Sequence, residues 1–220
     1  MRIPIAKEGA PFIAIALVLF LVALWWARPQ QSDLRVIPPA ALGLLLVFVV
    51  YFFRDPERRL PSDALQVVAP ADGKIIEVKQ VTDEPFMDGP ATRITIFLSI
   101  FNVHVQRAPV SGTVGLYAYH PGGYLVAWHE KASAENERAS LGIQSVRGPV
   151  VVRQIAGLIA RRIVTYPREN DTLDRGDRIG LIRFGSRVDL FLPASWPVSA
   201  AVGDKVKGGQ TVLAQLGGAP

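Results

Sequence analysis

The chain has 220 residues, no cysteine, three histidines and a formal net charge of +5 at neutral pH. Without thiols there are no disulfides, no thiolate catalysis and no cysteine-based zinc site, and His104, His120 and His129 form no HxxH or HExxH pattern, so a metal site is not expected. No basic run is interleaved with aromatics, which argues against nucleic acid as a partner.

Two apolar segments come first. Residues 10–27 (APFIAIALVLFLVALWWA) and 36–53 (VIPPAALGLLLVFVVYFF) each run 18 residues without a charge. As helices each would reach about 27 Å, close to a hydrocarbon core of about 30 Å. Trp25, Trp26 and Tyr51 lie near segment ends, where amphipathic rings prefer the headgroup level. Pro38 and Pro39 sit in the first turn of the second segment, where a missing N–H costs little. A cleaved signal peptide is the alternative for the first segment, but no small-x-small site follows it and a second segment comes directly after. The short link Arg28–Arg35 predicts a helical hairpin, either spanning the membrane or re-entrant in one leaflet. Arg2 and Lys7 precede it, and Arg54, Arg58 and Arg59 follow it. This bias predicts both hairpin ends, and the domain beyond, on the cytoplasmic side of the cell membrane.

Pro56 opposes helix continuation, and from residue 54 the pattern is β. Runs 67–69, 75–81, 92–101, 150–155, 158–165 and 188–192 are apolar or alternating and rich in Val and Ile. Turn signals separate them, among them Pro70-Ala71-Asp72-Gly73 and His120-Pro121-Gly122-Gly123. Two stretches, 69–75 and 108–114, share the pattern Ala-Pro-x-x-Gly-x-(Ile/Val). Residues 203–213 resemble the Gly-Asp-x-Val-x-x-Gly-Gln turn of biotinyl/lipoyl-type half-barrels. The expected fold is therefore mostly β: a barrel-sandwich-hybrid-like core behind a membrane hairpin (1–53), with the β domain at 54–220.

Several residues could carry chemistry there. In Thr92–Arg107 the apolar residues Ile94, Ile96, Leu98 and Ile100 give way at the same parity to Asn102, His104 and Gln106. An unbroken strand would put His104 at the mouth of a polar patch, suited to proton transfer near neutral pH; a solvent-facing strand end is the plainer reading. Asp72 either caps its own turn or orients and charge-stabilises His104. His120 and His129 read as structural or surface residues, and 134–138 as a solvated loop.

Near the C-terminus, Arg183-Phe184-Gly185-Ser186-Arg187 separates two strand-like runs with no Asn-Gly or Pro to make a simple hairpin turn. A Gly-Ser pair there is either a β-bulge or a strained link, at which the Ser186 hydroxyl attacks the Gly185 carbonyl. In the second case the resulting ester can eliminate, cutting the chain and leaving Ser186 as a pyruvoyl group.

Four ordered motifs narrow these choices: Pro-Ala-Asp-Gly (70–73), Phe-Asn-Val-His-Val-Gln-Arg-Ala-Pro (101–109), Asn-Glu-Arg (136–138) and Arg-Gly-Asp-Arg-Ile-Gly-x-Ile-Arg-Phe-Gly-Ser (175–186). Together they resemble phosphatidylserine decarboxylase proenzymes of the short membrane-anchored type, over Phe53 to Leu192. The resemblance implies self-cleavage between Gly185 and Ser186 by an Asp72–His104–Ser186 set, giving a 1–185/186–220 heterodimer that could assemble further. It implies a covalent pyruvoyl cofactor at Ser186 that forms a Schiff base with the amine of phosphatidylserine, with neither pyridoxal phosphate nor metal, and ethanolamine lipid as product. Phe101 stands where longer members carry a further histidine, so His104 would act alone; Phe184 and Arg187 replace their Leu and Thr. The rival without chemistry is a membrane-tethered barrel-sandwich adaptor or carrier. A hydrolase using Ser186 would lack the Gly-x-Ser-x-Gly elbow.

Overall fold

A computed structural model describes residues 4–28, 33–123, 136–157, 162–183 and 186–217. The chain divides into two units, Met1–Glu57 and Arg58–Pro220.

The first unit is an antiparallel pair of apolar helices, α1 (Ala10–Ala27) and α2 (Ile37–Phe52). With their leading turns, Lys7–Ala27 and Leu34–Phe52 have mean hydropathies of 2.4 and 2.1, long and apolar enough to cross a membrane. Side chains such as Ile15, Val18, Leu44 and Val47 face outward, as expected of helices solvated by lipid rather than by a protein core. Pro11 and Pro38–Pro39 occupy first turns. Ile5 bridges Arg54, the Ala6 N–H donates to the Phe53 carbonyl (2.8 Å) and the Asp55 N–H to the Pro4 carbonyl (2.8 Å), so both ends of the hairpin meet on one side.

The second unit is built from strands β1 (Gln66–Val68), β2 (Gly73–Val81), β3 (Ala91–Leu98), β4 (Val105–Arg107), β5 (Gly112–His120), β6 (Arg138–Ser145), β7 (Gly148–Ala156), β8 (Ile163–Thr165), β9 (Thr172–Leu173), β10 (Arg178–Ile182), β11 (Ser186–Pro193), β12 (Lys205–Val206) and β13 (Val212–Gln215). Eight of them form one sheet in the order β12-β2-β3-β11-β7-β6-β5-β9; β4-β10-β8 and β1-β13 form two smaller sheets, and every pairing between strands is antiparallel. Ile94, Ile96 and Leu98 of β3, Val188, Leu190 and Leu192 of β11 and Val150 and Val152 of β7 fill the common core. This mostly β architecture with two N-terminal apolar helices agrees with the barrel-sandwich expectation.

The repeated Ala-Pro-x-x-Gly stretches are related by an internal two-fold pattern. The Val68 N–H donates to the Pro109 carbonyl (3.0 Å) and the Arg107 N–H to the Pro70 carbonyl (2.8 Å), a reciprocal pair. Gly73 opens β2 and Gly112 opens β5; a Cβ on either would collide with a neighbouring carbonyl, that of Phe97 or Gln144. Asp72 Oδ1 accepts from the Gly208 N–H (2.8 Å), and Ser111 Oγ from the Arg175 N–H (2.9 Å). The two halves thus hold their turns in the same way.

The strand expected over 92–101 stops at Leu98. The Asn102 side chain accepts from both the Ser99 N–H and the Ser99 hydroxyl at 2.9 Å, a local bond that turns the backbone out of the ladder. Residues 158–161 of the expected strand 158–165 lie outside the described residues, and Ile163–Thr165 is β8.

On the face of the large sheet opposite the core, Arg153 donates to both oxygens of Glu84 (2.6 and 2.7 Å), and its guanidinium stacks 4.8 Å over Phe191. Burial pushes the Glu84 carboxyl above its ordinary 4.5, and Arg153 only partly opposes this. The folded state therefore holds a proton on Glu84 more tightly than the unfolded chain. That favourable contribution is full below about pH 4.5 and is lost as pH rises through the raised value. Thermal melts from pH 4.5 upward should show wild type losing stability relative to Glu84→Gln; parallel pH profiles would contradict this.

Candidate active site

Ser186 is the first residue of β11, a central strand buried on both faces. It pairs with Leu98 of β3 on one side and Ala156 of β7 on the other. Its side chain shares the core face with Val188 and Leu190. The residue is fully buried, and its hydroxyl has no hydrogen-bond partner among the described residues. An unpaired buried hydroxyl costs stability, so it marks a group held for something other than packing. Gly185 and Phe184, on the acyl side of the expected scission, lie outside the described residues.

The strand before the link belongs to another sheet. β10 ends at Ile182 and pairs with β4 and β8, whereas β11 lies in the eight-stranded sheet. β10 and β11 therefore belong to different sheets. The β4–β10 register pairs Val105 with Leu181. His104 is the residue immediately before β4, one position beyond this last recorded pair.

His104 is fully buried rather than at a solvent-facing strand end. Its Nδ1 lies 3.0 Å from the Asn102 carbonyl. A carbonyl only accepts, so Nδ1 carries the proton in the neutral ring and Nε2 is the basic nitrogen. Gln106, at the same parity, accepts from Gln154 (2.9 Å), which itself accepts from Thr165 (2.8 Å). Gln154 lies diagonal to Ser186 on β7, so a buried polar layer continues inward from the link.

Asp72 sits in the turn before β2, with both carboxylate oxygens accepting from Arg58 Nη2 (2.8 and 3.0 Å) and Oδ1 also accepting from the Gly208 N–H. Arg58 also donates to Gln210 (3.1 Å). This occupies Arg58, one of three arginines that membrane topology or anionic headgroups could otherwise account for; Arg54 in turn stacks 3.7 Å over Tyr51. Asp72 and Asn102 line one cavity of about 490 Å³. Asp72 thus faces the loop that holds His104 Nδ1. The pairing partner Arg58 is 14 residues away in sequence, with no local signal to announce it.

The Asn-Glu-Arg motif is also at the site. Asn136 and Glu137 are buried, not a solvated loop; residues 134 and 135, like His129, lie outside the described residues. Asn136 Nδ2 donates to the Ala156 carbonyl (2.7 Å) and the Ala156 N–H to the Glu137 carbonyl (2.9 Å), fixing the residue that pairs with Ser186. Asn136→Ala should cost about 1–3 kcal/mol by stranding that carbonyl. It should also slow any reaction at Ser186, read by thermal unfolding and by a time course of chain mass; an unchanged melting temperature would contradict it. His120 is exposed at the end of β5. Among the described residues no group of three His, Cys, Asp or Glu side chains could hold a metal.

The sequence profile described as Phosphatidylserine decarboxylase matches residues 45–214. The chain belongs to the phosphatidylserine decarboxylase family. It is 43% identical over 216 residues to a protein of Desulfotalea psychrophila named phosphatidylserine decarboxylase proenzyme, covering 98% of each chain. Proteins of the same name from Paraburkholderia xenovorans (47% over 213 residues, 96% of this chain and 97% of the relative) and Symbiobacterium thermophilum (46% over 220 residues, 98% of each) are similar over nearly their whole length. Family membership makes the chain an enzyme and separates it from the adaptor and carrier modules that share its barrel-sandwich architecture. Within the family's motifs, Asn136 and Ser186 both meet Ala156 of β7, the first by a side-chain hydrogen bond and the second as its ladder partner.

Proposed function

We propose that the chain is a self-cleaving, pyruvoyl-dependent phosphatidylserine decarboxylase working at the cytoplasmic face of the cell membrane. The observation that carries this reading is the buried hydroxyl of Ser186, which has no hydrogen-bond partner among the described residues. Its setting suits a keto group: a fully buried position at the start of a strand, with ladder partners on both sides.

In the first stage His104 Nε2 takes the Ser186 hydroxyl proton as Oγ attacks the Gly185 carbonyl carbon. Cleavage of the 185–186 C–N bond leaves an ester and frees the amine. Loss of the Ser186 Cα proton then expels the Gly185 carboxylate, and one water releases the nitrogen as ammonia. The products are 1–185 and 186–220, with a pyruvoyl group at 186. Asp72 acts as a positioning residue from across the cavity it shares with Asn102, whose carbonyl holds Nδ1.

The pyruvoyl carbonyl supplies an electron sink for the pair left when a carboxylate departs as CO₂. The protein supplies the rest. Burial removes the hydration that stabilises the substrate carboxylate, and His104 returns a proton to the carbon that lost CO₂. The apolar hairpin keeps the enzyme where its lipid is, so only the serine head has to reach position 186. A reporter fused to the Arg28–Arg35 link should report the far side of the membrane.

Reductive trapping tests the keto group. Borohydride with a primary amine should add that amine to the 186–220 fragment alone, with one water lost on forming the imine and two hydrogens gained on its reduction; a fragment that keeps an ordinary serine amine would refute the proposal.

A further inference from the structure

A second cluster of charge lies beside the catalytic residues and has no part in the chemistry above. Lys205 of β12 pairs directly with Lys74 of β2, and Lys74 with Phe97 of β3. Cross-strand partners share a face with Cβ atoms about 5 Å apart, and like charges so placed repel. Lys207, two residues on, lines the same cavity of about 490 Å³. None of the three lysines forms an ion pair among the described residues. The one carboxylate lining the cavity, Asp72, is already neutralised by Arg58. Three exposed ammonium groups thus face a concavity with no countercharge of their own.

The cavity's far wall is the Ser99–Asn102 turn. The Asn102 side chain pins that turn, which presents Ile100 (36% exposed) and Phe101 (61% exposed) to solvent. Ser99 directly follows the ladder partner of Ser186, and Asn102 holds His104. A cationic cavity and a rigid apolar tip therefore sit side by side at the end of the sheet where the reaction is placed. An anionic bilayer surface has both complements: phosphate charge at headgroup depth and an apolar layer beneath it.

We infer that Lys74, Lys205 and Lys207 bind the phosphodiester of a membrane lipid while Ile100 and Phe101 enter the apolar margin beside it. This rests on the lipid-decarboxylase reading and deepens it: the lysines hold a lipid phosphate at the end of the sheet where position 186 begins its strand. Phe101, 61% exposed, is then a membrane contact.

The test is lysine footprinting of the full-length chain in neutral-detergent micelles, with acetic anhydride and peptide mass analysis. Phosphatidylglycerol, a phosphodiester anion without an amine, should protect Lys74, Lys205 and Lys207 by about threefold or more. The exposed Lys79 near the other end of β2 is the internal control. Protection should persist in Ser186→Ala, so failure of the self-cleavage reading would not be mistaken for failure of this one. Equal protection by inorganic phosphate at the same anion concentration would make this a small-anion site and overturn the bilayer assignment; equal labelling with and without anionic lipid would overturn the site itself. In the active enzyme, Lys74→Gln, Lys205→Gln and Lys207→Gln together should raise the KM for micellar phosphatidylserine by about tenfold or more and flatten its salt dependence. Phe101→Ser should raise KM and leave the salt dependence in place; unchanged KM in both variants would refute the inference.

Discussion

Ser186→Ala is expected to remain one undivided polypeptide and to release no CO₂ from phosphatidylserine, a loss of about 10⁶-fold or more. Both effects follow from one oxygen. Without Oγ nothing can attack the preceding carbonyl, and without that attack no keto group arises at position 186. The fold should survive, because the hydroxyl makes no hydrogen bond among the described residues and the strand around it is held by β3 and β7. Removing an unpaired buried hydroxyl leaves stability equal or slightly higher. A variant cut normally at 185–186 would refute the assignment, and one that failed to fold would refute the claim that the hydroxyl is unused in packing.

The second large effect belongs to Arg58 and Asp72, whose side chains are 9% and 12% exposed. Breaking a largely buried pair by removing one partner leaves an uncompensated charge, at a cost of about 3 kcal/mol. Arg58→Ala should therefore lower stability by about that amount. Asp72→Asn keeps an oxygen for the Gly208 N–H and should cost less. Combined, the two changes should cost less than their sum by about 1 kcal/mol or more, because the double variant strands no charge. Asp72→Asn should also slow self-cleavage by about tenfold, since it loosens the tie to Arg58 that fixes one side of the cavity Asp72 shares with Asn102, whose carbonyl holds His104. Additive stabilities would show that the pair is not coupled. Wild-type cleavage in Asp72→Asn would confine Asp72 to the turn-holding role that Ser111 has in the other half of the domain.

The elements legible in the sequence were those whose own composition specified them. The hairpin helices are apolar on every side, and β2 and β7 carry runs of Val and Ile that need no partner to be recognised. β5 and β6 carry a weaker signal, because part of their packing is backbone against ring: Phe86 lies against Gly115 and Gly142, where no side chain advertises burial. The strand break after Leu98 depends on one amide, Asn102, reaching back three residues. Asn136 and Glu137 look like any charged loop until the β7 ladder places Ala156 above them. At the site, the Gly-Ser link and His104 were each ambiguous as local patterns, and the four ordered motifs that resemble the decarboxylase family singled them out. The ties that position them are long-range. Arg58 reaches Asp72, Asn136 reaches Ala156, and Lys205 meets Lys74 across 131 residues of chain, so each depends on sheet order and not on neighbouring sequence.

The most direct measurement is the intact mass of the purified full-length protein under denaturing conditions. Two polypeptides are expected, 1–185 and 186–220, the smaller lighter by one ammonia than the same sequence begun with serine. A single undivided chain that still turns phosphatidylserine into phosphatidylethanolamine would contradict the account.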